Sequence, residues 1–211
     1  MKSLFAFLLT LIGLVVFSQD YKPYNRFSLE ADYGISIPMM IVSDVSSDNF
    51  ISPTHFAAGV RYMFNQQWGV KGQFVIDQFK EGPQLGTNFF RMDAQVHYNL
   101  GRQINLVFDT YERFGLFLHS GFGASRAKSL YNNSIEHNGN FIFGITPMLR
   151  LSQKVALTGD VSYVLNIKQH FYFDGVPFDP ATVKFEHGAQ ATFSFGLVFY
   201  LGDKRYHADW Y

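Results

Sequence analysis

Phe90-Arg91-Met92-Asp93-Ala94-Gln95-Val96-His97-Tyr98-Asn99-Leu100 alternates from end to end: apolar side chains stand at the even numbers, polar or charged ones at the odd numbers. Successive side chains of an extended strand point to opposite faces, so this stretch has one oily face and one wet face. A helix would spread the same residues around all its sides. The wet row also carries both signs of charge, Arg91 and Asp93, in mid-strand.

The pattern recurs on both sides. Upstream, Phe27, Leu29, Ala31, Tyr33 and Ile35 share a face opposite Ser28, Glu30, Asp32 and Gly34. Phe56, Ala58, Val60, Tyr62 and Phe64 oppose His55, Gly59, Arg61 and Met63. After Asn65-Gln66-Gln67, the row Trp68, Val70, Gly72, Phe74 and Ile76 opposes Lys71, Gln73 and Asp77. Downstream, Phe114, Leu116, Leu118 and Phe122 oppose Gly115, His119, Gly121 and Gly123. Phe141, Phe143, Ile145, Pro147, Leu149 and Leu151 oppose Gly144, Thr146 and Arg150. After Ser152-Gln153-Lys154, the row Val155, Leu157, Val161, Tyr163, Leu165 and Ile167 opposes Thr158, Asp160, Ser162, Asn166 and Lys168. The last segment sets Ala189, Ala191, Phe193, Phe195, Leu197, Phe199 and Leu201 against Gln190, Thr192, Ser194 and Gly196.

Eight strands of about 10 to 13 residues follow, where about 5 to 6 is usual in soluble sheets. Their connections differ in length by side. Residues 65–67 and 152–154 are tight turns, and 101–112 is longer, with Ile104 to Tyr111 fitting neither pattern. The other side carries long polar loops expected near 36–54, 80–88, 126–140 and 172–187. Short turns on one side and long loops on the other are the habit of outer-membrane barrels. The expected architecture is therefore an all-β, eight-stranded antiparallel up-and-down transmembrane β-barrel.

The rival architecture is a soluble lipocalin-like barrel with an apolar lumen. Against it stand Glu30, Asp32, Asp77, Asp93 and Asp160 with Arg61, Lys71, Arg91, Arg150 and Lys168, all on the polar rows. An eight-stranded barrel has room inside only for side chains, and an unpaired buried ion costs several kcal/mol. Five acids and five bases can pair completely, so the polar face reads as a lumen plugged by salt bridges and the aromatic face as the lipid side.

The start of the chain supports export. Lys2 precedes a nearly unbroken apolar run from Leu4 to Phe17, and Val16 and Ser18 suit a signal peptidase. The run is short of the roughly 20 residues of a spanning helix, so residues 1–18 are expected to be a signal peptide and residues 19–211 the barrel. Composition narrows the rest. Net charge is zero, which points away from nucleic acid as a partner, and the absence of cysteine excludes disulfides and thiolate metal sites.

Three stretches carry a resemblance. Residues 114–123 (Phe-Gly-Leu-Phe-Leu-His-Ser-Gly-Phe-Gly), residues 155–163 (Val-Ala-Leu-Thr-Gly-Asp-Val-Ser-Tyr), and Phe199-Tyr200-Leu201-Gly202 followed by His207-Ala208-Asp209-Trp210-Tyr211 occur in this order. In this order they resemble the N-terminal barrel domain of the OmpA-like proteins of Bacteroidota. The resemblance implies an outer-membrane location, contact with outer-membrane lipids and lipopolysaccharide, and delivery to the barrel assembly machinery. Ser194, Gly196, Phe199 and Leu201 match the insertion signal that this machinery reads in the family. OmpA-like proteins commonly continue into a peptidoglycan-binding domain. Here the sequence stops at Tyr211, so cell-wall tethering is not assigned.

No catalytic, cofactor-binding or metal site is expected. His119-Ser120 is the most tempting pair, but neighbours on a strand face opposite ways, placing His119 in the lumen and Ser120 in lipid. His97 and His170 fall on polar faces, His137 and His187 in or beside loops, and His207 in the tail. A lipid-modifying enzyme, the alternative function, needs a nucleophile and base at the outer rim, where His55, Ser125 and Asp174 are the available types. Asp174-Gly175 and Asp179-Pro180 read first as turns. Met39-Met40-Ile41-Val42 is either a strand extension or a partner contact. The expected role is a non-enzymatic structural barrel, serving envelope integrity or forming a small subunit of an outer-membrane complex.

Overall fold

The computed structural model describes residues 23–40, 51–81, 84–178 and 186–211. The expected signal peptide, Ile41-Val42 and Asp179-Pro180 lie outside the described residues. In chain order the elements are β1 (Tyr24–Asn25), β2 (Phe27–Met40), β3 (Ser52–Met63), β4 (Trp68–Glu81), β5 (Leu85–Asn99), α1 (Leu100–Gln103), α2 (Leu106–Asp109), β6 (Phe114–Ser129), β7 (Ile135–Arg150), β8 (Val155–Gln169), β9 (Glu186–Leu201) and β10 (Tyr206–His207).

Strands β2 to β9 close into one antiparallel barrel, each pairing with its sequence neighbours. The ring is sealed by β2 on β9, with Leu29 opposite Phe199 and Tyr33 opposite Phe195. Closure leaves no strand edge unpaired, the condition for a sheet to exist in oil. The two short strands β1 and β10 pair in parallel at the end of the barrel that holds the chain termini, Tyr24 opposite Tyr206. Below, this is called the termini end.

Alternation sorts the faces as expected. Phe122, Phe195 and Met92 on the outer wall are 71%, 78% and 62% exposed, while the polar rows are buried inside. A soluble protein rarely shows so continuous an apolar surface. The aromatic rings are paired along it: Trp68 with Tyr98 at 4.6 Å, Phe122 with Phe141 at 5.2 Å and Phe143 with Tyr163 at 5.3 Å.

All the barrel strands but β3, at 12 residues, are longer than expected, reaching 16 in each of β6, β7 and β9. The loops expected at 80–88 and 126–140 are accordingly mostly strand: β4 and β5 run to Glu81 and from Leu85, β6 and β7 to Ser129 and from Ile135. Met39 and Met40 extend β2. The polar character of these segments misled, because strand that rises beyond an oil layer needs no apolar face.

Lys168 departs from the expected polar row. The β8–β9 register shifts between Asn166 and Gln169, and Lys168 takes a left-handed φ of 64° that turns it outward. Gln169 occupies the inward place, fully buried.

The long connection 100–113 forms two short helical turns. The Asn99 side chain caps α1 by accepting from the Arg102 N–H at 3.0 Å. Asn105 breaks the helix at φ 60°, and Tyr111 and Glu112 turn the chain back at φ 51° and 58°. Gly101 lets the turn press on β6, where an added Cβ would stand 2.7 Å from the Leu116 nitrogen.

Candidate functional site

The lumen is where the polar rows converge, and it is built in three layers. At the termini end the tail folds back into the mouth. Asp209 is fully buried there and accepts two parallel bonds from Arg61, Nη1 to Oδ1 at 3.0 Å and Nη2 to Oδ2 at 2.8 Å. Burial works to raise the Asp209 carboxyl, but Arg61, seconded by His207, overrides it and holds the group well below the usual carboxylate range. Trp210 donates its indole N–H to the Tyr200 hydroxyl at 2.8 Å, and His207 stacks on the Tyr200 ring at 4.4 Å. With Met63, Val107, Phe117, Met148 and Val198, Trp210 makes an apolar stopper.

The middle layer holds the charges. Arg61 Nε donates to Glu30 Oε1 at 2.5 Å, and Lys71 lies 2.9 Å from Glu30 Oε2 and 4.0 Å from Asp32. Asp32 also accepts from Thr158 at 2.8 Å, across the seam. His119 Nε2 sits 3.0 Å from Asp160, which accepts from Thr146 at 2.7 Å. Arg91 and Gln95 donate to Asp93 at 3.0 and 2.8 Å. His55 meets Asp77 at 2.7 Å, and Gln190 donates to its other oxygen at 3.3 Å. Each buried charge thus has a partner, which offsets its desolvation. The space enclosed among Asp32, Lys71, Arg91, His119 and Asp160 is about 20 Å³, the room of one water molecule. A ligand-binding barrel would instead offer an apolar cavity of hundreds of Å³.

At the far end the loop after β8 turns inward as a lid. Phe171 and Phe173 pack on Phe79, Phe89 and Ala127 in a second apolar cluster. Phe173 lies 5.0 Å from Phe79 and 5.5 Å from Phe89. Gly175, at φ 85°, makes the turn; its carbonyl accepts from Ser129 Oγ at 2.7 Å, and the Gly86 N–H donates to the Asp174 carbonyl at 2.6 Å.

The structure sorts the residues singled out from sequence. Of the ten charges, Glu30, Asp32, Arg61, Lys71, Asp77, Arg91, Asp93 and Asp160 meet in the lumen. Arg150 pairs with Glu112 at the mouth, 2.9 Å away, and Lys168 faces outward. His119 is buried and Ser120 exposed, as strand geometry requires. His97 stacks on His119 at 5.1 Å, and His170 pairs with Glu136 from an exposed position. The rim trio has separate duties: His55 bonds Asp77, Asp174 Oδ1 accepts from the Val176 N–H at 2.9 Å, and buried Ser125 stands on β6.

One Ser–His–Asp grouping was missed, Ser162 with His119 and Asp160. Its geometry does not relay a proton as a nucleophile–base pair must. Both Asp160 (3.0 Å) and Ser162 (3.5 Å) approach the same imidazole nitrogen, Nε2, and Ser162 also donates to Asp160. Glu136, Asn138 and Asn140 also face the lumen; their period-two spacing lies inside the 126–140 stretch whose polarity suggests a loop. Among the described residues no cluster of three or more His, Cys, Asp or Glu is placed to hold a metal ion.

No protein-family model matches the chain, and no curated protein matches it. Solved structures do. Neisserial surface protein A (NspA) superposes with a TM-score of 0.53 at 15% identity, over 83% of this chain and 97% of that one. Ail, the attachment invasion locus protein of Yersinia pestis, in complex with the heparin analogue sucrose octasulfate, matches at 0.50 and 17% identity, over 84% of this chain and 99% of that one. At such identities the likeness concerns the fold: the chain has the closed eight-stranded antiparallel barrel of outer-membrane proteins.

Proposed function

We propose that this protein is a non-enzymatic structural barrel of the outer membrane, serving envelope integrity or forming a small subunit of an outer-membrane complex. The observation behind this reading is the lumen, charge-paired through its middle and stoppered at both ends. Such an interior favours a structural role over a substrate site or a channel, with interactions made through the outer wall, the rims and the loops. The termini end is assigned to the periplasm, by the habit of such barrels. The signal peptide over residues 1–18, contact with lipopolysaccharide, assembly by the barrel machinery and kinship to OmpA-like proteins belong to the same proposal.

The test is cell fractionation combined with a deletion strain. The mature protein is expected in the outer-membrane fraction, migrating differently on gels before and after heating. The deletion strain is expected to admit large antibiotics more readily while keeping its lipid A and phospholipid profiles. Recovery as a soluble periplasmic protein, or a changed lipid profile, would overturn the reading.

A further inference from the structure

The connection between β5 and β6 has two faces with different surroundings. Val107 is fully buried in the termini-end stopper beside Met63, Phe117 and Trp210. On the other side Ile104, Phe108 and Tyr111 are 55%, 49% and 87% exposed. The left-handed backbone at Tyr111 and Glu112 holds this arrangement, and non-glycine residues enter that region at a cost. Three large apolar groups held in water on an ordered turn need a surface to cover them.

The position of the turn identifies that surface. Gln103 Oε1 accepts from the Tyr98 hydroxyl at 3.3 Å and from Gln67 Nε2 at 3.2 Å. Tyr98 and its partner Trp68 are outward-facing rings at the rim of the apolar wall, so the turn is tied to the end of the wall. Trp and Tyr collect where a bilayer meets water. Arg102 lies over the Phe108 ring, 5.1 Å from its centroid, and Arg113 is exposed nearby; Asp109 is the opposing exposed charge, since Glu112 is taken by Arg150.

We infer that residues 104–111 rest in the headgroup boundary of the adjoining lipid leaflet. Ile104, Phe108 and Tyr111 enter the edge of the acyl region, and Arg102 sits at phosphate level. Apolar contact carries the binding, because the charges of the turn nearly balance, so a zwitterionic bilayer suffices. This inference rests on the membrane reading above but goes beyond it. It adds an interfacial contact outside the strands, continuous with the aromatic rim.

The chain has no cysteine, so single labels can be placed cleanly. Phe108→Cys and, on the barrel wall, Phe122→Cys are each labelled with an environment-sensitive fluorophore. The full protein is then reconstituted in phosphatidylcholine vesicles containing shallow or deep spin-labelled lipid. At position 108 the shallow lipid is expected to quench about twofold more than the deep one, as interfacial burial of a few ångströms requires, with little quenching by aqueous iodide. At position 122 the deep lipid is expected to dominate. If the 108 label is quenched by iodide and by neither lipid while the 122 label lies in lipid, the inference is overturned and the membrane reading stands. If both labels meet iodide, the membrane reading fails and this inference falls with it.

Discussion

Arg61 is the residue on which most of the interior converges, fully buried and bound to both Glu30 and Asp209. Arg61→Leu leaves two carboxylates unpaired and is expected to cost about 3–5 kcal/mol, measured by urea unfolding in vesicles. Adding Glu30→Gln and Asp209→Asn removes those stranded charges and should restore part of the loss. A triple variant as weak as the single one would argue against the pairing. The depressed Asp209 carboxyl gives a pH dependence with a fixed sign. Its stabilisation is full above the unfolded value near pH 4 and fades as pH falls from there toward the folded value. In a Trp68→Phe background, where Trp210 is the remaining tryptophan, emission should stay that of a buried indole at pH 5 and begin to shift red only below about pH 4. Lys168 makes the opposite point. Its side chain is exposed and its backbone left-handed, so Lys168→Gly should raise stability by up to about 1 kcal/mol in the same unfolding assay. A loss would mean that the lysine makes a contact worth more than the relieved strain. Eight of the ten mid-strand charges were legible as lumenal because alternation alone decides a strand's faces. Lys168 was not, because a register shift inverts the faces and leaves no mark in composition.

At the scale of elements, the lid after β8 closes the far mouth through one ring. Phe173 is fully buried among Phe79, Phe89 and Phe171, and Phe173→Ala should cost about 3 kcal/mol of local packing. The barrel does not depend on that contact. Limited proteolysis should therefore cut the variant within 170–178 while the strands remain protected, and general strand cleavage would contradict a separable lid. Strand cores were readable in the sequence, whereas their ends were not. A strand leaving oil keeps its hydrogen bonds but loses the need for an apolar face, so β6 and β7 run on through residues that look like loop. The tail was opaque for another reason. His207, Asp209 and Trp210 have no periodic pattern, and only the meeting of distant Arg61 and Tyr200 gives them a place.

For the molecule as a whole, the proposed structural role predicts that the middle layer, and not the tail, is what blocks conduction. Glu30, Lys71, Asp32 and Thr158 remain joined if residues 206–211 are removed. The truncated barrel should thus unfold at lower urea than the full protein, yet show no steady conductance in planar bilayers. Conductance gained on truncation would make the tail the true gate. The seam between β2 and β9 carries a further consequence, one of timing. These strands stand near opposite ends of the chain, and Phe27 finds Leu201 only after the residues between them have been made. Until then the growing sheet has two raw edges, each able to template a foreign strand. The other sheet contacts join sequence neighbours, whereas this one joins strands from opposite ends of the chain and carries the largest loop-closure cost. The parallel clasp of Tyr24–Asn25 on Tyr206–His207 lies just beyond the seam, so clasp and seam bring together the same two ends of the chain, and the edges disappear where they meet.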